Sequence, residues 1–175
     1  MSNLDLALQY AESGMPVIPL HTPTGDVHKP CSCNKADCTS IGKHPRTMNG
    51  VKDATVKPEE IRKWWKQWPA ANIGVATGTD LGAFVLDVDP KNGGIETLNR
   101  YIEKHGPFDT ATVKTGSGGY HFFFALPSFK VQNTQSSKDQ PSYLGAGLDI
   151  RGEGGYVVAA GSLHSSGNLY EWTKG

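Results

Sequence analysis

The stretch FVLDVDPKNGG, residues 84–94, joins an apolar run typical of a buried strand to two acids, Asp87 and Asp89. Successive side chains of a strand point to opposite faces, so both carboxylates are expected on one face and Phe84, Leu86 and Val88 on the other. The proline and the glycine pair that follow predict that the strand ends there. Because an ionised carboxylate is costly to bury alone, the stretch predicts either a bound cation or acids that cap the strand end and face water.

A third carboxylate interrupts another apolar strand, in the segment GLDIRGEGG. Asp149 and Arg151 are expected on the face opposite the apolar side chains of this strand. Three aspartates from two strands form a set of hard oxygen ligands suited to Mg²⁺ or Mn²⁺, ions that keep positions open for water and phosphate oxygens. Glu153 is a candidate fourth acid, although a glycine-rich turn is also a natural place for a solvated glutamate.

The segment KTGSGGYHFFF predicts a flexible turn that leads into a strand. Gly118 and Gly119 allow backbone N–H groups to approach a ligand, Ser117 adds a hydroxyl group, and such concavities bind anions. His121 is expected on the face opposite most of the aromatic side chains of the strand. A lone histidine is commonly a satisfied core residue, but its place beside this turn and the three acids favours a phosphate or metal site.

Residues 21–50 form a long polar segment without periodicity, and a loop of this length in a compact domain is usually functional or braced by a metal. Thiolates and imidazole suit Zn²⁺, and four such ligands close a structural site that can order a loop without a core. The four candidate ligands are Cys31, Cys33, Cys38 and His44. His21 and His28 are alternative fourth ligands, and three reduced thiols without a metal are the simpler alternative.

The same loop contains two basic residues that could hold a triphosphate. Lys43 and Arg46 lie on either side of His44, and an arginine guanidinium offers a two-pronged donor to phosphate. Although the net charge of the chain is zero, residues 41–66 contain seven basic residues and three acids. This local excess fits either phosphate binding or a solvated helix face.

The order of the predicted elements limits the fold class. Helices are predicted over residues 4–13, in the segment KPEEIRKWWKQWP and over residues 94–105, and most strands follow the last helix. This order predicts an α+β fold with a mixed or antiparallel sheet flanked by helices and a cysteine-rich loop insertion. At 175 residues the chain is expected to be one domain. Three clustered cysteines argue against a disulfide framework and for an intracellular setting.

These segments, in this order, resemble the bifunctional primase-polymerase (prim-pol) family of the archaeo-eukaryotic primase superfamily. The resemblance extends over nearly the whole chain and includes GKHPR, VLDVDPKNGG, SGGYHFFF and GLDIRGEGGYVVAAGS. The family's first motif, an acidic pair on a strand, falls on Asp87 and Asp89, and its third, a single acid, on Asp149. Its second, a serine and a histidine after a glycine turn, falls on Ser117 and His121.

The resemblance implies a primase-type fold related to RNA-recognition modules and a DNA-templated nucleotidyltransferase, acting as a primase, a DNA polymerase or both. The three motif aspartates would be the catalytic residues and would hold two Mg²⁺ or Mn²⁺ ions. The expected nucleotide-binding residues are Lys43, Arg46, Ser117, Gly118, Gly119, His121 and Arg151.

Single-stranded DNA template and primer, with dNTPs or NTPs, would be the substrates of such an enzyme. Members of the family often stand upstream of a helicase in plasmid, phage or mobile-element replication proteins. We therefore expect residues 1–175 to be the N-terminal catalytic domain of a longer cytoplasmic replication protein of a bacterium, archaeon, phage or plasmid.

Two other function classes fit the same residues. A metal-dependent nuclease or phosphotransferase would use the same three acids, and divalent metal would then promote cutting of DNA rather than its extension. A non-catalytic, zinc-braced DNA-binding module would bind a template without turnover. A haloacid-dehalogenase-like phosphatase is disfavoured because the residues after Asp89 lack the threonine or valine usual in that class.

Overall fold

The computed structural model of the chain describes residues 1–136 and 141–175. Within these ranges the α-helices are α1 (Asn3–Glu12), α2 (Pro58–Gln67) and α3 (Gly94–His105). Short 3-10 helices span Gly50–Asp53 and Pro90–Asn92. The α-helices lie where the sequence periodicity predicts them. None of the helices in the described part of the chain is long and apolar enough to cross a membrane.

The strands of the described residues pair in two antiparallel sheets. A three-stranded sheet contains, in spatial order, β1 (Val17–Leu20), β2 (Asn72–Ala76) and β7 (Tyr156–Val158). A five-stranded sheet contains, in spatial order, β6 (Leu148–Arg151), β3 (Ala83–Val88), β5 (Tyr120–Ala125), β4 (Thr112–Lys114) and β8 (Glu171–Lys174). The prediction of an α+β fold with antiparallel strands, flanking helices and a cysteine-rich loop is confirmed.

Each sheet has one face covered by helices. On the three-stranded sheet, Ile61 and Trp65 of α2 pack with Ala7 of α1 against Ile73 and other strand residues. On the five-stranded sheet, Leu98 of α3 packs in a second cluster that includes Leu86, Phe122 and Ile150. Burial of these apolar faces is the main force that holds the helices on the sheets.

The other faces of the two sheets pack together over part of their area. Leu20 of β1 and Val158 of β7 share a buried cluster with Val113 of β4 and Tyr170. The polar side chains at the ends of β3, β5 and β6 lie beside this cluster. The five-stranded sheet therefore has a dry face against α3 and a partly polar face toward the other sheet.

The chain after β3 is held closely against the segment before β6. The N–H group of Asp89 donates to the carbonyl oxygen of Gly147 at 2.8 Å, and the N–H group of Gly94 donates to the carbonyl oxygen of Asp89 at 2.9 Å. Gly93 has a φ of 84°, a left-handed conformation that favours glycine, and α3 begins directly after it. This turn fixes Asp89 beside the end of the acid-bearing strand.

Candidate active site

Three of the predicted site residues form a row across neighbouring strands. Asp87 lies directly opposite Asp149 in the pairing of β3 with β6, and directly opposite His121 in the pairing of β3 with β5. Directly opposite residues of an antiparallel pair project from the same face. The three side chains therefore project together from the face that is not covered by α3.

Arg151 connects the two carboxylates of this row. Its Nη2 and Nε atoms donate to Oδ2 of Asp87 at 3.0 Å and 3.3 Å, and Nη2 lies 3.7 Å from Oδ2 of Asp149. Oδ1 of Asp149 accepts a hydrogen bond from Oγ1 of Thr134 at 3.2 Å. Two carboxylates are thus held near each other by a single guanidinium group.

Asp89 lies just beyond the end of β3 and has a local structural role. Its Oδ1 atom accepts a hydrogen bond from the N–H group of Lys91 at 2.9 Å, and its Oδ2 atom accepts one from Nδ2 of Asn92 at 2.6 Å. Asp89 therefore caps the 3-10 helix Pro90–Asn92 while it faces the same cleft as Asp87 and Asp149.

His121 is buried beside Asp87. The residue is 5 % exposed, and its Nε2 atom lies 3.6 Å from Oδ1 of Asp87. Burial lowers the pKa of the imidazole, although the charge of Asp87 works in the opposite direction. The Nδ1 atom is buried without a hydrogen-bond partner among the described residues. The ring also lies against Tyr170, with 5.8 Å between the ring centroids.

Tyr170 brings a phenol group to the same cleft. The residue is buried, and this burial, with the charge of Asp87 in the same direction, raises the pKa of the phenol. The phenol is therefore neutral at physiological pH and can act there as a hydrogen-bond donor.

The glycine turn before β5 is closed by its own hydrogen bonds. The N–H group of Gly118 donates to the carbonyl oxygen of Thr115, and the N–H group of Gly119 donates to Oγ1 of Thr115, each at 2.9 Å. The hydroxyl group of Ser117 also lies 2.9 Å from Oγ1 of Thr115. The predicted anion contacts of the two glycine N–H groups thus compete with bonds inside the turn.

The acidic row and the glycine turn line a cleft of about 680 Å³ between the two sheets. Lys43 of the cysteine-rich loop and Tyr156 of β7 lie on the opposite wall. The hydroxyl group of Tyr156 donates to the carbonyl oxygen of Lys43 at 2.8 Å. Lys43 lines the same cleft as the acidic row, and its charge acts to lower the pKa of His121.

The predicted zinc ligands come together in the cysteine-rich loop. One ligand atom from each of Cys31, Cys33, Cys38 and His44 lies within 4.8 Å of the others. Nε2 of His44 lies 3.5 Å from Sγ of Cys31 and 3.6 Å from Sγ of Cys38. Nitrogen and sulfur ligands of a tetrahedral zinc ion lie about 3.6 Å apart, so this donor set fits Zn²⁺ with little movement.

The alternative fourth ligands have other surroundings. Nδ1 of His21 lies 3.0 Å from Oγ of Ser32, and its ring lies against the ring of His44 with 4.4 Å between centroids. Burial lowers the pKa of His21 to about 4, and the neighbouring charges of Arg46 and His44 act in the same direction. His28 is exposed and does not belong to the ligand group. The geometry favours His44 as the fourth ligand.

Two predicted site residues do not lie in the cleft. The Nε atom of Arg46 donates to the carbonyl oxygen of Leu20 at 3.2 Å, and its guanidinium lies 5.5 Å from the ring centroid of Trp68. Arg46 therefore braces the cysteine-rich loop against β1 and Trp68. Oε2 of Glu153 accepts hydrogen bonds from the N–H and hydroxyl groups of Thr79, which holds this acid away from the acidic row.

The cleft combines groups that suit phosphate chemistry. Three carboxylates provide hard oxygen ligands for divalent cations, and the guanidinium already held by two of them shows that the site accepts positive charge. Lys43 and Ser117 can bind phosphate oxygens on the adjacent walls. Sequence reasoning did not identify Thr134, Tyr156 and Tyr170 as lining residues, since single hydroxyl groups outside a motif give no signal.

A protein-family model described as "Bifunctional DNA primase/polymerase, N-terminal" matches residues 7–175 of the chain. The matched range includes the acidic row, the glycine turn and the cysteine-rich loop. No curated protein matches the chain.

Proposed function

The chain belongs to the bifunctional DNA primase/polymerase (Prim-Pol) family, and we propose that it adds nucleoside triphosphates to a 3′-hydroxyl group with two divalent metal ions. Family membership makes it a nucleotidyltransferase of the primase/polymerase type, with DNA and nucleotides as substrates. The two-metal chemistry and the residues assigned to it are our proposal.

The row of Asp87, Asp149 and His121 in a cleft beside Asp89 is the observation that carries the proposal. Two bound Mg²⁺ or Mn²⁺ ions would lower the pKa of the attacking 3′-hydroxyl group and neutralise the charge of the leaving pyrophosphate. The three aspartates supply negatively charged oxygens for these ions. His121 is buried beside Asp87, with its Nε2 atom 3.6 Å from Oδ1 of the carboxylate, and so packs against the metal-binding row.

We propose that the triphosphate lies between the glycine turn and Lys43. Ser117 and Lys43 are exposed within the cleft, and a hydroxyl group and an ammonium group both bind phosphate oxygens well. We also assign His121 to these phosphates, because it lines the same cleft. Because the N–H groups of Gly118 and Gly119 donate inside the turn, their part is to shape the turn and to place Ser117.

We propose a structural role for a zinc ion held by Cys31, Cys33, Cys38 and His44. The loop has few apolar residues of its own, and a closed four-ligand site can order such a segment. Lys43 precedes a ligand, His44, and its carbonyl oxygen is tied to Tyr156. The loop thus carries a cationic side chain into the cleft.

We further propose that single-stranded DNA template and primer, with dNTPs or NTPs, are the substrates. A helicase domain in the same replication protein, in a bacterial, archaeal, phage or plasmid setting, would fit this activity.

A primer-extension assay tests the proposal. A labelled primer on a template is incubated with dNTPs or NTPs and with Mg²⁺ or Mn²⁺, and parallel reactions omit the primer. We expect the wild type to lengthen the labelled strand and Asp87→Asn to leave it unchanged, with Asp80→Asn, an exposed acid outside the cleft, as the matched control. Metal-dependent shortening of the DNA, or template binding without turnover, would reject the polymerase assignment.

A further inference from the structure

The guanidinium group of Arg151 turns toward one oxygen of each carboxylate that the proposed function assigns to metal binding. It lies 3.0 Å from Oδ2 of Asp87 and 3.7 Å from Oδ2 of Asp149. The two remaining oxygens have other neighbours, since Oδ1 of Asp87 faces His121 and Oδ1 of Asp149 accepts a hydrogen bond from Thr134. The Oδ2 atoms are therefore the oxygens of the two aspartates that lie closest to the guanidinium of Arg151.

A divalent ion held by Asp87 and Asp149 would need the carboxylate charge that this guanidinium now neutralises. Two cations held by the same pair of carboxylates would repel each other in a partly buried site. Arg151 is thus placed as a competitor for the metal position, in addition to its role as a counter-ion for the acids.

Arg151 also has another position open to it. Its side chain is 32 % exposed, and it lines the cleft together with Lys43 and Ser117, the residues assigned to the triphosphate. A guanidinium group pairs with phosphate oxygens as well as with carboxylate oxygens. A triphosphate in the cleft would give Arg151 a second negatively charged partner, in addition to the aspartates.

We propose that Arg151 exchanges between the two aspartates and the triphosphate, so that divalent ions and nucleotide promote each other's binding. The inference rests on the proposed function and adds a coupling device to it. When the guanidinium pairs with phosphate, the Oδ2 atoms become available to a divalent ion. The coupling is reciprocal, so either ligand alone binds less tightly than it does in the presence of the other.

The first test uses Mn²⁺ alone as the probe, with free Mn²⁺ measured by electron paramagnetic resonance. The dissociation constant for Mn²⁺ should be about tenfold lower in Arg151→Gln than in the wild type, because a competing cation is removed. Arg62→Gln removes the same charge from an exposed position of α2 and should leave the constant unchanged. An unchanged or weaker Mn²⁺ affinity in Arg151→Gln overturns the inference.

The second test measures the affinity for a fluorescent dNTP in Mg²⁺ and in EDTA. Arg151→Gln should weaken binding about tenfold in Mg²⁺ and less than about twofold in EDTA, since without metal the wild-type guanidinium stays with the aspartates. An equal loss under both conditions would mean that Arg151 is a permanent phosphate ligand, and the exchange would be rejected.

Two further measurements separate folding and catalysis from the exchange. Arg151→Lys keeps the charge but loses the two-pronged donor, so it should fall between the wild type and Arg151→Gln in both assays. Thermal unfolding shows whether each variant is folded.

The outcomes separate the exchange from the proposed function. If the wild type extends primers, but Arg151→Gln has the same dissociation constant for Mn²⁺ as the wild type, the exchange alone is overturned. A wild type that neither binds Mn²⁺ nor extends primers overturns the proposed function as well.

Discussion

Asp87 and Asp149 occupy directly opposite positions on β3 and β6, and both carboxylates face the cleft between the two sheets. Like charges at such positions repel and destabilise an antiparallel pair. In this protein the repulsion is offset by Arg151, which lies close to both carboxylates. A pair of acids that needs a cation for stability is well suited to hold the cations of a nucleotidyl transfer.

Asp149→Asn should remove activity without unfolding the protein. Asparagine keeps the shape of the side chain and can still accept the hydrogen bond from Thr134, but it loses the charge that binds a divalent ion. We expect the extension rate to fall at least about 100-fold. The melting temperature should change by less than about 4 °C, because the lost contact with Arg151 is offset by the lost repulsion from Asp87.

Primer extension and thermal unfolding of the same preparation check this prediction. Asp80→Asn, which changes an exposed acid between β2 and β3, should retain wild-type activity. Extension by Asp149→Asn at a rate near that of the wild type would remove Asp149 from the catalytic residues.

Asp89 combines a helix cap with a charge, and two substitutions separate these roles. Asparagine caps as well as aspartate, so Asp89→Asn should keep the stability of the protein, whereas Asp89→Ala should lose about 1 kcal/mol. Both variants should lose extension activity at least about 100-fold if the charge binds metal. Denaturant unfolding and primer extension measure the two effects.

Asn92→Ala is the matched control for this pair. It removes the hydrogen bond from Nδ2 of Asn92 to Oδ2 of Asp89 but leaves the carboxylate charge in place. We expect it to retain most of the extension activity. Normal extension by Asp89→Asn would leave Asp89 with the capping role alone.

The helices and the faces of the acid-bearing strands were predictable because their signals are local. The apolar spacing of Ile95, Leu98 and Ile102 predicts α3, and these residues pack on the five-stranded sheet. Because successive side chains of a strand point to opposite faces, Asp87 and Asp149 must lie on the other face of the strand from the apolar residues next to them in sequence. The family resemblance drawn from these segments is confirmed by the match over residues 7–175.

The partners of strands and of polar groups were not predictable in the same way. The sequence of β7 indicates which of its side chains share a face, but not which strand it pairs with. Its pairing with β2, and with it the division of the strands into two sheets, was therefore missed. Arg46 was expected at the triphosphate, but its donors are taken up by the backbone of Leu20 and by Ser32. Such pairings depend on the packing of distant segments.

Removal of zinc should weaken nucleotide binding as well as stability. If zinc binds only the folded loop, saturation at about 1,000 times the dissociation constant contributes about 4 kcal/mol to the free energy of unfolding. Chelation should therefore lower the melting temperature, and zinc added back should restore it. Because the loop carries Lys43 into the cleft, we also expect the affinity for dNTP to fall about tenfold.

Lys43→Gln shows whether the two effects of zinc are connected. In the zinc-loaded variant the dNTP affinity should already be reduced, and chelation should then reduce it little further. Lys66→Gln, an exposed charge at the end of α2, should respond to chelation as the wild type does. A preparation with no bound metal by elemental analysis, and with an unchanged melting temperature after zinc is added, would rule out the zinc site.

Gly119 fixes the turn that carries Ser117 against the strand that carries the acids. A Cβ atom at Gly119 would lie 2.0 Å from the carbonyl oxygen of Val88 and 2.8 Å from Cδ of Pro90, the two neighbours of Asp89. Gly119→Ala should therefore displace the turn and destabilise the protein by about 3 kcal/mol.

Gly118→Ala is the matched comparison because it tests backbone conformation without crowding. Gly118 has a φ of 88°, and a Cβ atom at this position would have no neighbour within 4 Å, so we expect a loss of about 1 kcal/mol from backbone strain. Extension activity should fall further in Gly119→Ala than in Gly118→Ala, since only the former moves Ser117 relative to Asp89. Denaturant unfolding and primer extension rank the two variants. If Gly118→Ala loses more stability and more activity than Gly119→Ala, the close packing of the turn on β3 does not position the site.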